Sequence, residues 1–211
     1  TTRGTPRPKL FNFRASPEYT QVLKAGGVDI VTLANNHIFD YSEEGLNDTM
    51  EHLKKAGIAY VGAGRNLEEA RKPVIFRIKG LKLAYLGYYG SKKHSNSQPA
   101  TEDSAGTAMR KLRFIKEDIK AIRDSVDFIS VNLHWGYEKE HYPEDTQIQF
   151  AHRVIDFGAD LVVGHHPHVL QGVEVYKGKT IAYSLGNFIF GGNSRTTERS
   201  ALLKITLFPD N

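Results

Sequence analysis

Apolar positions recur along the 211-residue chain in two rhythms. Over Ser16 to Ala25, Glu44 to Ala56, Arg113 to Asp124 and Asp145 to Phe157 they return every three or four residues, which predicts amphipathic helices. Gly26, Gly57 and Gly158 follow three of these stretches, where a left-handed cap would end the helix. Shorter runs rich in β-branched and aromatic residues predict strands at Asp29 to Ala34, Ala59 to Gly62, Val74 to Ile78, Lys82 to Gly87, Asp127 to Leu133, Asp160 to Val163, Gly172 to Tyr176, Thr180 to Ser184 and Ala201 to Leu207. Helices and strands alternate first and strands dominate later, which is the order of an α/β protein.

Three of the strand segments share a plan. "GGVDIVTLANNH" ends at His37, "SVDFISVNLHWG" contains His134 and "GADLVVGHHPH" ends at His168; each has an Asp, a short apolar run and then histidine. The runs "DIVTLA", "DFISV" and "DLVV" lack polar alternation, so they read as central strands covered on both faces. In an α/β sheet the carboxyl ends of such strands form the rim where ligands bind, and the histidines are expected to gather there.

The chemistry available at such a rim follows from the donor types. Asn36, His134, His166 and His168 offer nitrogen and oxygen donors suited to Zn, Mn or Fe, with coordination positions left open. His166 and His168 are two residues apart and would project to one side of an extended segment. Such a metal polarises a phosphoryl group and lowers the pKa of a bound water, and His37 is placed to protonate a leaving oxygen. A lone strand-end histidine or "NNH" is more often an ordinary hydrogen-bonded element; the repetition in three strand contexts carries the inference. Asn187, in "SLGNFIFGG", is a candidate to orient a ligand histidine or bind substrate. Trp135 and Tyr137 are candidates to wall the pocket, with packing as the commoner role of such aromatics. His52, His94, His141 and His152 fall on expected helices or loops and read as surface residues.

Composition narrows the classes. With 40% hydrophobic and 25% charged residues, the chain is long enough for one sizeable domain spanning residues 1–211. The polar, Ser- and Gly-rich stretch 90–108 reads as a long surface loop within it. The absence of cysteine excludes disulfides, thiolate metal sites and a Cys nucleophile. No apolar run approaches a membrane span, and the start "TTRGTPRPKLFNFRASPEY" has no signal-peptide pattern. The net charge of +4 is small and scattered; it suits a phosphate or polyanionic partner, and no nucleic acid partner is expected.

The blocks "VTLANNHIFDYSEEGLNDTMEHLKKAGIAYVGAG", "NLHWGYEKEHYP" and "GADLVVGHHPHVLQGVEVYKGKTIAYSLGNFIFGG" resemble the CapA-type poly-γ-glutamate capsule synthesis proteins, a branch of the calcineurin-like metallophosphoesterase superfamily. The resemblance covers nearly the whole chain. It implies a four-layer α/β sandwich of two mixed sheets flanked by helices. It also implies Asn36 as a metal ligand, His37 as the acid meeting the leaving group, His134 as an isolated ligand, and His166 and His168 as the closing pair. A register that uses His165 also fits the start of that last motif. Asp40 stands three residues after His37, whereas in the superfamily an acidic residue follows the histidine directly.

The superfamily's opening motifs, with their Gly-Asp and second acidic ligands, have no match here. The expectation is therefore a fragment lacking N-terminal strands, a membrane anchor and the carboxylates of a dinuclear Mn, Zn or Fe centre, so that this chain would hold metal weakly or not at all. The family setting implies the extracellular face of a bacterial or archaeal membrane, with poly-γ-glutamate, a phosphate-containing substrate and other capsule-synthesis proteins as partners. Two functions follow: metal-dependent phosphoester hydrolysis, or a non-catalytic polymer- or partner-binding component of a capsule assembly machine.

Overall fold

The structure is a computed structural model, and it describes residues 1–90, 98–190 and 199–208. The chain divides into two compact units, one of Thr1–Val74 with Leu86–Arg110, the other of Ile75–Tyr85 with Lys111–Asn211. Five α-helices are described: α1 (Thr20–Ala25), α2 (Ser42–Lys55), α3 (Leu67–Arg71), α4 (Leu112–Ile122) and α5 (Asp145–Asp156). The described strands are β1 (Ile30–Thr32), β2 (Ala59–Val61), β3 (Ala63–Gly64), β4 (Val74–Ile78), β5 (Leu81–Tyr89), β6 (Gly106–Thr107), β7 (Phe128–His134), β8 (Leu161–His165), β9 (Val173–Tyr176) and β10 (Lys179–Ala182).

In the first unit, α2 forms because Leu46, Met50 and Leu53 share one face, while Glu43 and Glu44 in its first turn and Lys54 and Lys55 in its last complement the helix dipole. That face packs into a cluster with Leu33, Phe39, Ile58, Ala63 and Ala105. β1 and β2 pair in parallel, Val31 opposite Tyr60. β3 and β6 pair antiparallel, Ala63 opposite Thr107. The stretch expected as a surface loop is therefore partly structural. Residues 91–97 lie outside the described residues, but Ala105, Thr107 and Ala108 are buried, because β6 pairs with β3 and Ala108 donates its N–H to Gly62 O.

The second unit is built on a six-stranded mixed sheet in the order β4-β5-β7-β8-β10-β9. β7 and β8 are central and parallel, with Val131 opposite Val162 and His134 opposite His165. Their apolar runs are buried, as the lack of polar alternation predicts: Ile129, Val131, Leu133 and Val162 are wholly inaccessible. β10 runs parallel to β8, and β9 closes the sheet antiparallel to β10. The β9–β10 connection is the pair Lys177-Gly178, both at positive φ, the geometry that matches hairpin twist. α5 starts with Gln147 accepting the Glu144 N–H, and packs on α4 and β8. The expected strand over Ala201 to Leu207 does not form. Its alternating apolar residues find no partner strand among the described residues, and Leu202 and Phe208 stand exposed. The apolar pattern does not predict α3, which at five residues is too short to show a period.

Candidate functional site

The residues singled out by sequence fall into two groups, one in each unit. In the first unit β1 ends at Thr32, so His37 lies not at a strand end but in the turn over residues 35–40. The turn is set locally. Asn35 Oδ1 accepts the His37 N–H at 2.8 Å, and His37 O accepts the Asp40 N–H at 3.1 Å.

That turn brings Asp40 under the His37 ring, with Oδ2 2.8 Å from Nδ1. An ionised carboxylate there accepts from Nδ1–H, which fixes the tautomer and leaves Nε2 to exchange protons. Asp40 is 1% exposed, and its charge is compensated. Lys9 Nζ pairs with Oδ1 and also donates to Asn36 O at 3.2 Å, while the Phe13 N–H donates to Oδ2 at 2.6 Å. Phe13 meets the His37 ring edge-on at 4.5 Å between centroids. The spacing of Asp40 from His37, which departs from the pattern implied by the resemblance, is thus the spacing that lets one turn join them. Lys9 and Phe13 had no sequence signal; only the path of the N-terminal segment places them.

The second unit holds the other group. His134 closes β7, His165 closes β8, and His166 and His168 lie in the bend beyond. His134 and His166 have ring centroids 4.7 Å apart, and His166 and His168 6.0 Å. His166 and His168 do not meet by extended alternation. Their φ values are 102° and 60°, in the positive-φ region that L-residues adopt at a cost of about 1–3 kcal/mol each. Asn187 Oδ1 lies 2.7 Å from His168 Nδ1, which fixes the ring and leaves Nε2 as its donor for a metal.

The structure adds a residue that sequence reading missed. Glu138 offers a carboxylate oxygen that lies, with one nitrogen each of His166 and His168, in a group whose atoms are all within 4.8 Å of one another. Two imidazoles and a carboxylate are donors that fit a divalent transition metal. Glu138 is held there by its loop: Trp135 N–H donates to His165 O at 3.0 Å, Lys139 N–H to Pro167 O at 2.7 Å, and Gln171 Nε2 to Glu140 O at 2.8 Å. Gly136, at φ 78°, permits the close path, since a Cβ there would meet Gln147 Nε2 at 2.8 Å. The available signal was an acidic residue four positions after His134.

His165 is different in kind. Its Nε2 is enclosed and without a hydrogen-bond partner, and burial pushes its pKa down to about 4, so the ring is neutral. It is not part of the Glu138 group. Trp135, a candidate to wall the pocket, does not reach one. The indole is fully buried, donates to Tyr183 O at 3.0 Å and stacks on Tyr183, so it belongs to the core beneath the histidines and no substrate reaches it. Tyr137, by contrast, is 59% exposed. His52 and His152, read as surface residues, are partly covered and paired with Asp48 and Glu174; His141 is exposed, and His94 lies outside the described residues.

The model of the family described as bacterial capsule synthesis protein PGA_cap matches residues 1–192. The capsule biosynthesis protein CapA of Bacillus anthracis is 36% identical over 203 residues, 94% of this chain and 49% of that protein. The PGA biosynthesis protein CapA of Bacillus subtilis (strain 168) is 34% identical over 200 residues, 94% of this chain and 52% of that protein. The chain thus spans about half the length of the curated relatives it matches. Among solved structures, a 5'-nucleotidase precursor from Thermus thermophilus superposes with a TM-score of 0.56 at 18% identity, over 79% of this chain and 34% of that one. At that identity the likeness speaks to fold alone, an α/β arrangement of sheets flanked by helices. The three motif blocks, the relatives and the family model agree: this chain belongs to the bacterial capsule synthesis protein PGA_cap family.

Proposed function

We propose that the chain serves in the synthesis or export of poly-γ-glutamate at the outer face of the cell membrane, through metal-assisted chemistry on a phosphoester. The biological half of the reading rests on family membership and on the names of the two CapA relatives. The chemical half is carried by one observation, the His37–Asp40 pair, in which a buried carboxylate holds a histidine with one nitrogen left to exchange a proton.

His37 Nε2 donates the proton that a departing alkoxide needs, and Asp40 with Lys9 keeps the ring oriented. A divalent Mn, Zn or Fe ion held by His166 and His168, with His134 as a further donor, would supply Lewis-acid polarisation of a phosphoryl oxygen. A phosphate-containing substrate and an anionic polymer both suit the +4 net charge, and other capsule-synthesis proteins are the natural partners.

The test is turnover of an aryl phosphate by the metal-loaded chain. The expected result is Mn- or Zn-dependent hydrolysis that falls at least about a hundredfold in His37→Ala, the lower end of what a general acid contributes. Full metal occupancy without turnover would refute the enzymatic reading and leave the alternative, a binding component of a capsule assembly machine.

A further inference from the structure

We infer that Glu138 is a metal ligand, and that with His166 and His168 it makes the second unit sufficient to hold one divalent transition-metal ion. The inference rests on the metal-assisted reading above for the identity of the two histidines, and departs from it in the third donor and in needing nothing from the first unit.

Four observations meet at this point. The three donor atoms lie within 4.8 Å of one another, so a small rotation of the exposed Glu138 side chain brings them to the separation of about 3.4 Å that tetrahedral ligands of one ion keep. The backbone of both histidines is held at positive φ, with no glycine to make that easy. Asn187 fixes the ring of His168 in the manner of a residue that supports a metal-binding imidazole. The loop carrying Glu138 is fastened to the His165–Gln171 segment by three hydrogen bonds, from Trp135, Lys139 and Gln171, so the backbone at Glu138 is fixed beside the two histidines and its exposed side chain reaches them.

Asn and His donors alone leave a divalent cation uncompensated, and the sequence offers no carboxylate within the "GHHPH" motif itself. Glu138 supplies the missing negative charge from a neighbouring loop. Two imidazoles and one carboxylate are a donor set that leaves positions open for water or substrate oxygen.

Isothermal titration of the chain with Zn2+ and with Mn2+, together with metal content after dialysis, reads this directly and needs no activity. Wild type should bind one ion tightly. Glu138→Gln, at an exposed site where folding is not at stake, should weaken binding by more than Asn187→Ala, for which a supporting residue predicts about ten- to a hundredfold. Glu138→Asp should recover part of the loss, and Asn36→Ala should leave the first ion's affinity unchanged. Wild-type affinity in Glu138→Gln would overturn the assignment, as would a first ion that is lost in Asn36→Ala. Retained turnover with wild-type affinity in Glu138→Gln would sink this inference alone. Tight, Glu138-dependent binding without turnover would sink the phosphoester reading alone.

Discussion

Replacing Asp40 by Asn keeps the side chain's volume and removes only its charge, which makes it a sharp test of how the His37 turn is held. The carboxylate is 1% exposed and receives Lys9 Nζ, His37 Nδ1 and the Phe13 N–H. The amide oxygen of an Asn can still accept from Phe13, but it loses the ion pair with Lys9 and weakens the bond from His37. Hydrogen bonds to charged groups contribute about 1.5–3 kcal/mol each, so losing one and weakening another should cost about 2–4 kcal/mol.

Lys9, 15% exposed, sharpens the test through a double-mutant cycle. Lys9→Met alone leaves Asp40 buried without its cation; in the double variant neither charge is stranded, so the two costs should fall short of additive by about 1–3 kcal/mol. The assay is urea denaturation followed by far-UV circular dichroism, since the single tryptophan, Trp135, belongs to the other unit. Additivity within about 0.5 kcal/mol, or an Asp40→Asn variant as stable as wild type, would refute the view that this ion pair organises the turn.

Two further outcomes follow from the packing. A Cβ at Gly164 would lie 1.9 Å from Tyr183 O and 2.4 Å from Trp135 Nε1, neither of which can swing away, so Gly164→Ala should cost about 3 kcal/mol, the upper end of ordinary overpacking, and an unchanged melting temperature would contradict this. Burial tends to raise the Asp48 carboxyl, but hydrogen bonds from Thr1 and Thr2 and the charges of His52 and Arg3 outweigh it and bring the pKa to about 2, below the 3.8 of a free Asp. The unfolded state binds that proton first, so the carboxylate stabilises the fold by about 2 kcal/mol above pH 4 and loses this as pH falls from about 4 to about 2; Asp48→Asn should flatten the stability profile in that window.

Much of the candidate site was legible because its signals are local. The apolar runs before His134 and "GHH" mark central strands by themselves, and β7 and β8 occupy the middle of the sheet with His134 and His165 in register. The helix faces of α2 and α5 were equally plain from their period, to within a residue or two at their ends. What failed did so where local pattern is silent or misleading. Alternation over Ala201 to Leu207 matches a strand, but a strand also needs a neighbour. Trp135 follows a site histidine in sequence, yet just beyond the end of β7 its indole donates to Tyr183 O and stacks on that ring in the core.

The sequence by itself determined the α/β class, the family, and two central strands, β7 and β8, with the histidines that end them, because periodicity and motif spacing are written in neighbouring residues; the run before His37 instead forms the short β1 of a two-stranded sheet. Tertiary structure alone decided which polar groups serve those histidines. Asp40 reaches His37 through the hydrogen bonds of one turn, Lys9 arrives from the N-terminal segment, and Glu138 is carried to His166 and His168 by a loop fastened across two strand ends. Such encounters depend on where the backbone is pinned by long-range hydrogen bonds, and no periodicity records that.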